Sequence, residues 1–138
     1  MEFTRRDTLA MGLGAAVLTM VPLSVSAAAD DAIAAFTGGA DMADSGIDLT
    51  APEIAENGNT VPVEVSAPGA EAILLLATGN PTPGVATFKF GPLAGSQAAS
   101  TRIRLAGTQD VVAIAKMADG SFARASSTVK VTIGGCGG

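Results

Sequence analysis

The chain has 138 residues, 48% of them hydrophobic, and a formal net charge of −5 at neutral pH, which suits one domain with a single modest core. An acidic chain without Trp or Tyr, and with only five Phe, has neither the basic patch that nucleic acid requires nor the aromatic surface for stacking bases or sugars. Histidine is absent and cysteine occurs once, so a Ser-His-Asp or Cys-His arrangement, an imidazole ligand or base, an internal disulfide, a C-x-x-C redox pair and a haem attachment motif are all excluded. No cofactor or metal is expected. Asp41, Asp44 and Asp48 cluster loosely, but they lack EF-hand spacing and a closing Glu, and they read as a solvated acidic loop. An enzyme acting alone is not expected.

In chain order, "TRRDT" places Arg5 and Arg6 before an apolar stretch from Leu9 to Leu23, and small residues follow at Ser24 to Ala29. This is the pattern of a twin-arginine export signal. The stretch is too short and too rich in Gly, Ala and Thr for a membrane span, which takes about 20 apolar residues. Residues 1–28 are therefore assigned to the signal, with cleavage within two or three positions of that boundary. The expected location is the periplasm, with no membrane attachment after cleavage. The signal carries two acidic and two basic side chains (Glu2, Asp7, Arg5, Arg6), so the charge of −5 is unchanged by its removal.

Residues 29–133 form the expected domain. "DDAIAAFTGG" reads as a short helix with Asp30 or Asp31 as N-cap, Ile33 and Phe36 on one face and Gly38 as terminator. From there the periodicity changes to two. "TVPVEV" sets Val61, Val63 and Val65 on one face, with Pro62 suggesting an edge strand. "ATFKF" turns Ala86, Phe88 and Phe90 inward, "TRIRL" sets Ile103 and Leu105 against Arg102 and Arg104, and "TVKVTI" anchors itself through Val129, Val131 and Ile133. Those are half-buried antiparallel strands. "AILLLA" and "DVVAIAKM" are apolar on both faces, which makes them central strands or strands covered by a partner, and the first place to look for partner contacts. Turn signals separate the runs at Asn57-Gly58, Pro68-Gly69, the "GNPTPG" loop, Gly91-Pro92, Gly107 and Asp119-Gly120, the last as a tight hairpin. About seven short strands at this spacing predict an immunoglobulin-like antiparallel β-sandwich. The inter-sheet disulfide usual in that fold is ruled out by the single cysteine.

The sequence closes in "VKVTIGGCGG", with Cys136 flanked by Gly134, Gly135, Gly137 and Gly138. After Ile133 no apolar side chain remains to dock, and glycine leaves the backbone unhindered. Residues 134–138 thus read as a flexible arm that carries the thiol about 10 Å past the last strand at 3.3 to 3.6 Å per residue, narrow enough to thread another protein's active-site channel. A thiol that forms and breaks sulfur–sulfur bonds needs no catalytic group beside it. The competing reading is a periplasmic structural or assembly module cross-linked through Cys136.

The terminus "VKVTIGGCGG", the twin-arginine signal and the small β-rich body together resemble the SoxY family, the sulfur carrier subunits of the periplasmic Sox thiosulfate-oxidation system. The resemblance is most specific over residues 129–138. It implies a non-catalytic carrier in which Cys136 covalently holds sulfur intermediates and the four glycines form a swinging arm. It also implies a heterodimer with a SoxZ-type β-sandwich subunit. The arm would be served in turn by a c-type cytochrome complex that conjugates thiosulfate to the thiol, a manganese-dependent hydrolase that releases sulfate, and a sulfane dehydrogenase.

Overall fold

Alanine, the strongest helix former, fills much of "VSAAADDAIAAFT", and in the computed structural model, which describes residues 25–133, this run is helix α1 (Val25–Thr37). The alanines carry the helix upstream of Asp30 and Asp31, so neither is the N-cap expected from the sequence. Both lie exposed within the helix, which begins inside the stretch assigned to the signal. Its end is where the sequence places it. The Gly38 N–H donates to Ala34 O at 2.8 Å with Gly38 at φ +66°, a left-handed conformation that favours glycine.

Among the described residues nine strands follow: β1 (Met42–Ala43), β2 (Asp48–Thr50), β3 (Ile54–Ala55), β4 (Val61–Ser66), β5 (Ala70–Ala77), β6 (Gly84–Lys89), β7 (Ala98–Ile103), β8 (Gln109–Met117) and β9 (Phe122–Val131). The larger sheet runs β1-β9-β8-β5-β6, with β3 also on β9, and the smaller runs β2-β4-β7. The long ladders are antiparallel, as expected. Strands β1 and β3 are too short for periodicity to reveal, and they pair parallel with the two ends of β9 (Met42↔Phe122 and Ile54↔Lys130). The result is the expected sandwich of two sheets.

The alternation of "TVPVEV" is realised in full: Val61, Val63 and Val65 are buried and face Ile73, Leu75, Ala77, Val111, Ala113 and Val129 of the other sheet across one core. Ile103 and Leu105 join that core between exposed Arg102 and Arg104. Phe88 and Phe90 pack against it half-buried. Val85 does so as well, because a register shift opposite Leu75 and Leu76 takes it out of simple alternation with Ala86. Strand β4 is central rather than an edge. Pro62 is accommodated because β2 pairs only with Glu64, Val65 and Ser66, so at Pro62 the strand has a neighbour on one side alone.

The two doubly apolar runs, β5 and β8, are adjacent in the larger sheet. One face of each enters the sandwich core. On the other, Leu74, Leu76, Val112 and Ile114 form a second cluster with Phe122, covered by Ala32, Ile33 and Phe36 of α1 and by Met42. The cover of this cluster is the chain's own helix together with Met42. Phe36 meets Phe122 edge-on, ring centroids 5.9 Å apart. The hairpin at Asp119-Gly120 forms as expected, the Met117 N–H donating to Ser121 O at 2.8 Å. Hydrogen bonds from the Ser121 hydroxyl and N–H hold the exposed Asp119 carboxyl below its ordinary pKa.

Phe36→Ala should therefore lower stability by about 2 kcal/mol, less than for a fully buried phenylalanine, whereas Leu93→Ala, at a side chain 98% exposed, should stay within about 0.5 kcal/mol of the parent. Urea unfolding of both variants checks the helix as the lid of the second cluster.

Candidate functional site at the root of the Cys136 segment

Cys136, Gly134, Gly135, Gly137 and Gly138 lie outside the described residues, as do Arg5 and Arg6. What the structure does place is the stretch that precedes Gly134 in the chain, up to Ile133.

That stretch takes in the carboxyl end of β9. Val129 is fully buried and Val131 packs half-buried on the core, as the alternation predicts, but Ile133 is 64% exposed and does not anchor the strand. Backbone bonds do so instead. The Lys130 N–H donates to Glu53 O at 2.9 Å, the Thr132 N–H to Ala55 O at 3.1 Å, the Thr132 hydroxyl to Glu56 O at 3.0 Å and the Gly58 N–H to Ile133 O at 2.8 Å. On the other side Thr108 Oγ1 accepts from the Val131 N–H at 3.0 Å. Residues 130–133 are thus fastened by the segment around β3, which the sequence marks only with a turn signal at Asn57-Gly58. Buried Gly58 also accepts from the Leu105 N–H at 2.7 Å, tying the β7–β8 connection into the same clamp.

A polar knot joins the β5–β6 and β7–β8 connections. Gln109, 8% exposed, accepts from the Gly79 N–H at 2.9 Å and donates through Nε2 to Asn80 Oδ1 at 2.9 Å and Gly107 O at 3.0 Å. Asn80 in turn donates to Arg104 O at 2.7 Å and accepts from the Ala106 N–H at 2.9 Å. The knot requires Gly79, because a Cβ there would fall 2.8 Å from Gln109 Cβ. No buried side-chain nitrogen or oxygen among the described residues lacks a partner. Sequence reading misses Gln109 and Asn80; a lone Gln beginning an apolar strand is the available signal.

Asp41, Asp44 and Asp48 are all exposed. Among the described residues no group of three or more His, Cys, Asp or Glu is placed to hold a metal ion, and no helix is long and apolar enough to cross a membrane.

Fold and site define a small two-sheet β-sandwich whose last strand is clamped just ahead of the glycine-flanked Cys136 in the chain. Residues 33–136 match the sulfur oxidation protein SoxY family. The chain belongs to that family. It is similar to the structure of the sulfur carrier protein SoxY from Chlorobium limicola f thiosulfatophilum, with 41% identity over 78% of this chain and 98% of that one and a TM-score of 0.67. It is also similar to superoxide reductase (neelaredoxin) from Ignicoccus hospitalis, with 19% identity and a TM-score of 0.55 over 63% of this chain and 80% of that one. At that identity the likeness is one of fold alone. No match is found among curated proteins.

Gln109→Ala removes the side-chain partner of the Gly79 N–H and of Gly107 O and one of the three side-chain hydrogen bonds of Asn80, and should destabilise the protein by about 2 kcal/mol. Gly79→Ala should also destabilise it, by steric displacement of Gln109. Equilibrium unfolding of both, with hydrogen exchange at the Gly58 and Thr132 amides, tests whether the knot and the clamp act together.

Proposed function

We propose that the chain is a non-catalytic carrier of sulfur intermediates in thiosulfate oxidation, with Cys136 as the attachment point and Gly134, Gly135, Gly137 and Gly138 as the arm that presents it. The observation that carries this reading is the family match running to residue 136, together with the likeness to a sulfur carrier protein at 41% identity.

The chemistry suits a thiol with no base beside it. In loading, a sulfur–sulfur bond forms between Cys136 Sγ and the terminal sulfur of thiosulfate. The thiol proton is released and two electrons pass to the c-type cytochrome complex. Hydrolysis then cleaves the bond between the sulfane and sulfonate sulfurs: water supplies the fourth oxygen of sulfate, two protons are released, and a persulfide remains on Cys136. That second step moves no electrons to an external acceptor. Neither step asks the carrier for more than a nucleophilic sulfur that is also a good leaving group. A free thiol with an ordinary pKa of about 8.5 is only slightly ionised at neutral pH, so ionisation falls to the enzyme that receives it.

The rest of the reading follows from this role. The twin-arginine signal at Arg5 and Arg6 exports the chain to the periplasm already folded. A chain without ligands for a cofactor has another reason to cross folded, namely a passenger, and the SoxZ-type subunit is that passenger. A manganese-dependent hydrolase and a sulfane dehydrogenase complete the cycle.

Cys136→Ser should abolish thiosulfate-dependent cytochrome reduction in a reconstituted system. Gly134→Val with Gly135→Val should lower it at least tenfold, by narrowing the backbone and adding bulk where the arm must thread, without changing thermal stability or alkylation of Cys136. Wild-type rates in the first variant refute the carrier role, and wild-type rates in the second refute the arm. Intact mass of the protein from the periplasm should show discrete sulfur-containing additions on a monomer; a permanent reducible homodimer would instead mark a cross-linked structural module. Removing residues 1–28 should strand the passenger subunit in the cytoplasm.

A further inference from the structure

Asn57 is the one asparagine followed by glycine; Asn59 precedes Thr60 and Asn80 precedes Pro81. An asparagine loses ammonia most readily before glycine, where no Cβ on the next residue crowds attack by its backbone nitrogen on the side-chain carbonyl carbon. Thr60 crowds that attack, and Pro81 has no N–H to give up. Asn57 is where the chemistry is open, and it lies exposed to water.

The fold holds both reacting groups. The nucleophile, the backbone nitrogen of buried Gly58, donates its N–H to Ile133 O at 2.8 Å. It must lose that proton to attack, and the hydrogen bond opposes the loss. The Asn57 side-chain carbonyl accepts from the Asn59 N–H at 3.0 Å, so the carboxamide is held as well. Gly58 O accepts from the Leu105 N–H at 2.7 Å, and the Thr132 hydroxyl donates to Glu56 O at 3.0 Å. Residues 56–58 are thus pinned by the end of β9 and the β7–β8 connection, while the asparagine side chain faces solvent.

We propose that Asn57 is a site of spontaneous deamidation gated by the clamp: the reaction proceeds only while the bond from Gly58 to Ile133 is broken, and its isoaspartate product keeps that bond from re-forming. In the opened state a solvent base takes the Gly58 N–H proton and the nitrogen bonds to Asn57 Cγ. The side-chain nitrogen leaves as ammonia, with a proton from water. The five-membered imide then takes up water. Addition at Cγ gives an ordinary aspartate, and addition at the main-chain carbonyl carbon gives isoaspartate, whose backbone runs through the former side chain. No electrons are exchanged in either step. Isoaspartate lengthens the chain ahead of Gly58 by one methylene, about 1.5 Å. Gly58 must meet Ile133 O and the Leu105 N–H at once, and a displacement of that size breaks the pair of bonds.

The test follows Asn57 by peptide mass mapping with isoaspartate detection, and the Gly58 amide by hydrogen exchange, at one mildly alkaline pH. A free peptide of residues 53–61 gives the ungated rate. The folded parent should deamidate at least about tenfold more slowly than the peptide. Thr108→Val and Thr132→Val, at exposed positions, remove the side-chain bonds to Val131 and Glu56. Each should speed Gly58 exchange and deamidation by the same factor, and urea below the unfolding transition should move the parent along the same line. A parent that deamidates at the peptide rate overturns the proposal, as does faster Gly58 exchange without faster deamidation. The product is tested separately. The isoaspartate form should exchange its Lys130 and Thr132 amides about tenfold faster than fresh protein. Asn57→Ser keeps an acceptor for the Asn59 N–H but has no carboxamide to lose, and after the same incubation it should exchange as fresh protein does. So should fresh Asn57→Asp, which carries the product's charge on an unaltered backbone. Equal exchange in the fresh and isoaspartate forms overturns the proposal, and so does fresh Asn57→Asp that exchanges as fast as the isoaspartate form.

Discussion

Two neighbouring strands buried on both faces set the terms for everything else in this molecule. Strands β5 and β8 carry apolar side chains in unbroken runs, and water must be kept from each side of them. One side is closed by the valine face of β4 together with Ile103 and Leu105, and the other by α1. A single sheet covers neither side, and a sandwich without the helix leaves Leu74, Leu76, Val112 and Ile114 in solvent. The architecture of helix, larger sheet and smaller sheet is what these two runs demand from a chain of this size.

Strand β9 connects that core to the site. It pairs along its length with β8, so its position is fixed by the most buried part of the protein, and it continues past the core to the clamp at residues 130–133. Buried apolar contact therefore ends at Val131, and backbone hydrogen bonding takes over for the last two described residues. Side-chain packing holds the chain as far as Val131, and main-chain bonding from the segment around β3 holds residues 130–133. The knot of Gln109 and Asn80 ties residues 79–80 to residues 104–109, which meet the clamp through Leu105 and Thr108.

Most of this architecture is legible in the sequence where periodicity is strong. The strands with period-two alternation, the terminating Gly38 and the hairpin at Asp119-Gly120 are where the pattern places them, because each is decided by a few residues close in the chain. The errors share a cause. Asp30 and Asp31 look like caps only if the alanines before them are given to the signal. Pro62 implies an edge strand, and local termination of β2 satisfies the same physical requirement inside a central one. Ile133 continues the alternation of β9, yet the core ends one step earlier. Strands β1 and β3, two residues each, have no period at all, and their pairing with β9 is a tertiary event. The candidate site divides differently: the glycine-flanked Cys136 is a reading of the sequence alone, while the clamp at residues 130–133 is built from backbone groups that carry no sequence signature.

The parallel pairing of β3 with the end of β9 also has a mechanical side. Its hydrogen bonds lie across the strands, so a tug on the chain beyond Ile133, directed along β9, loads them and the β8 ladder in shear. The bonds then share the force rather than opening one after another from the end. A chain pulled from that end is fastened in the geometry that resists peeling.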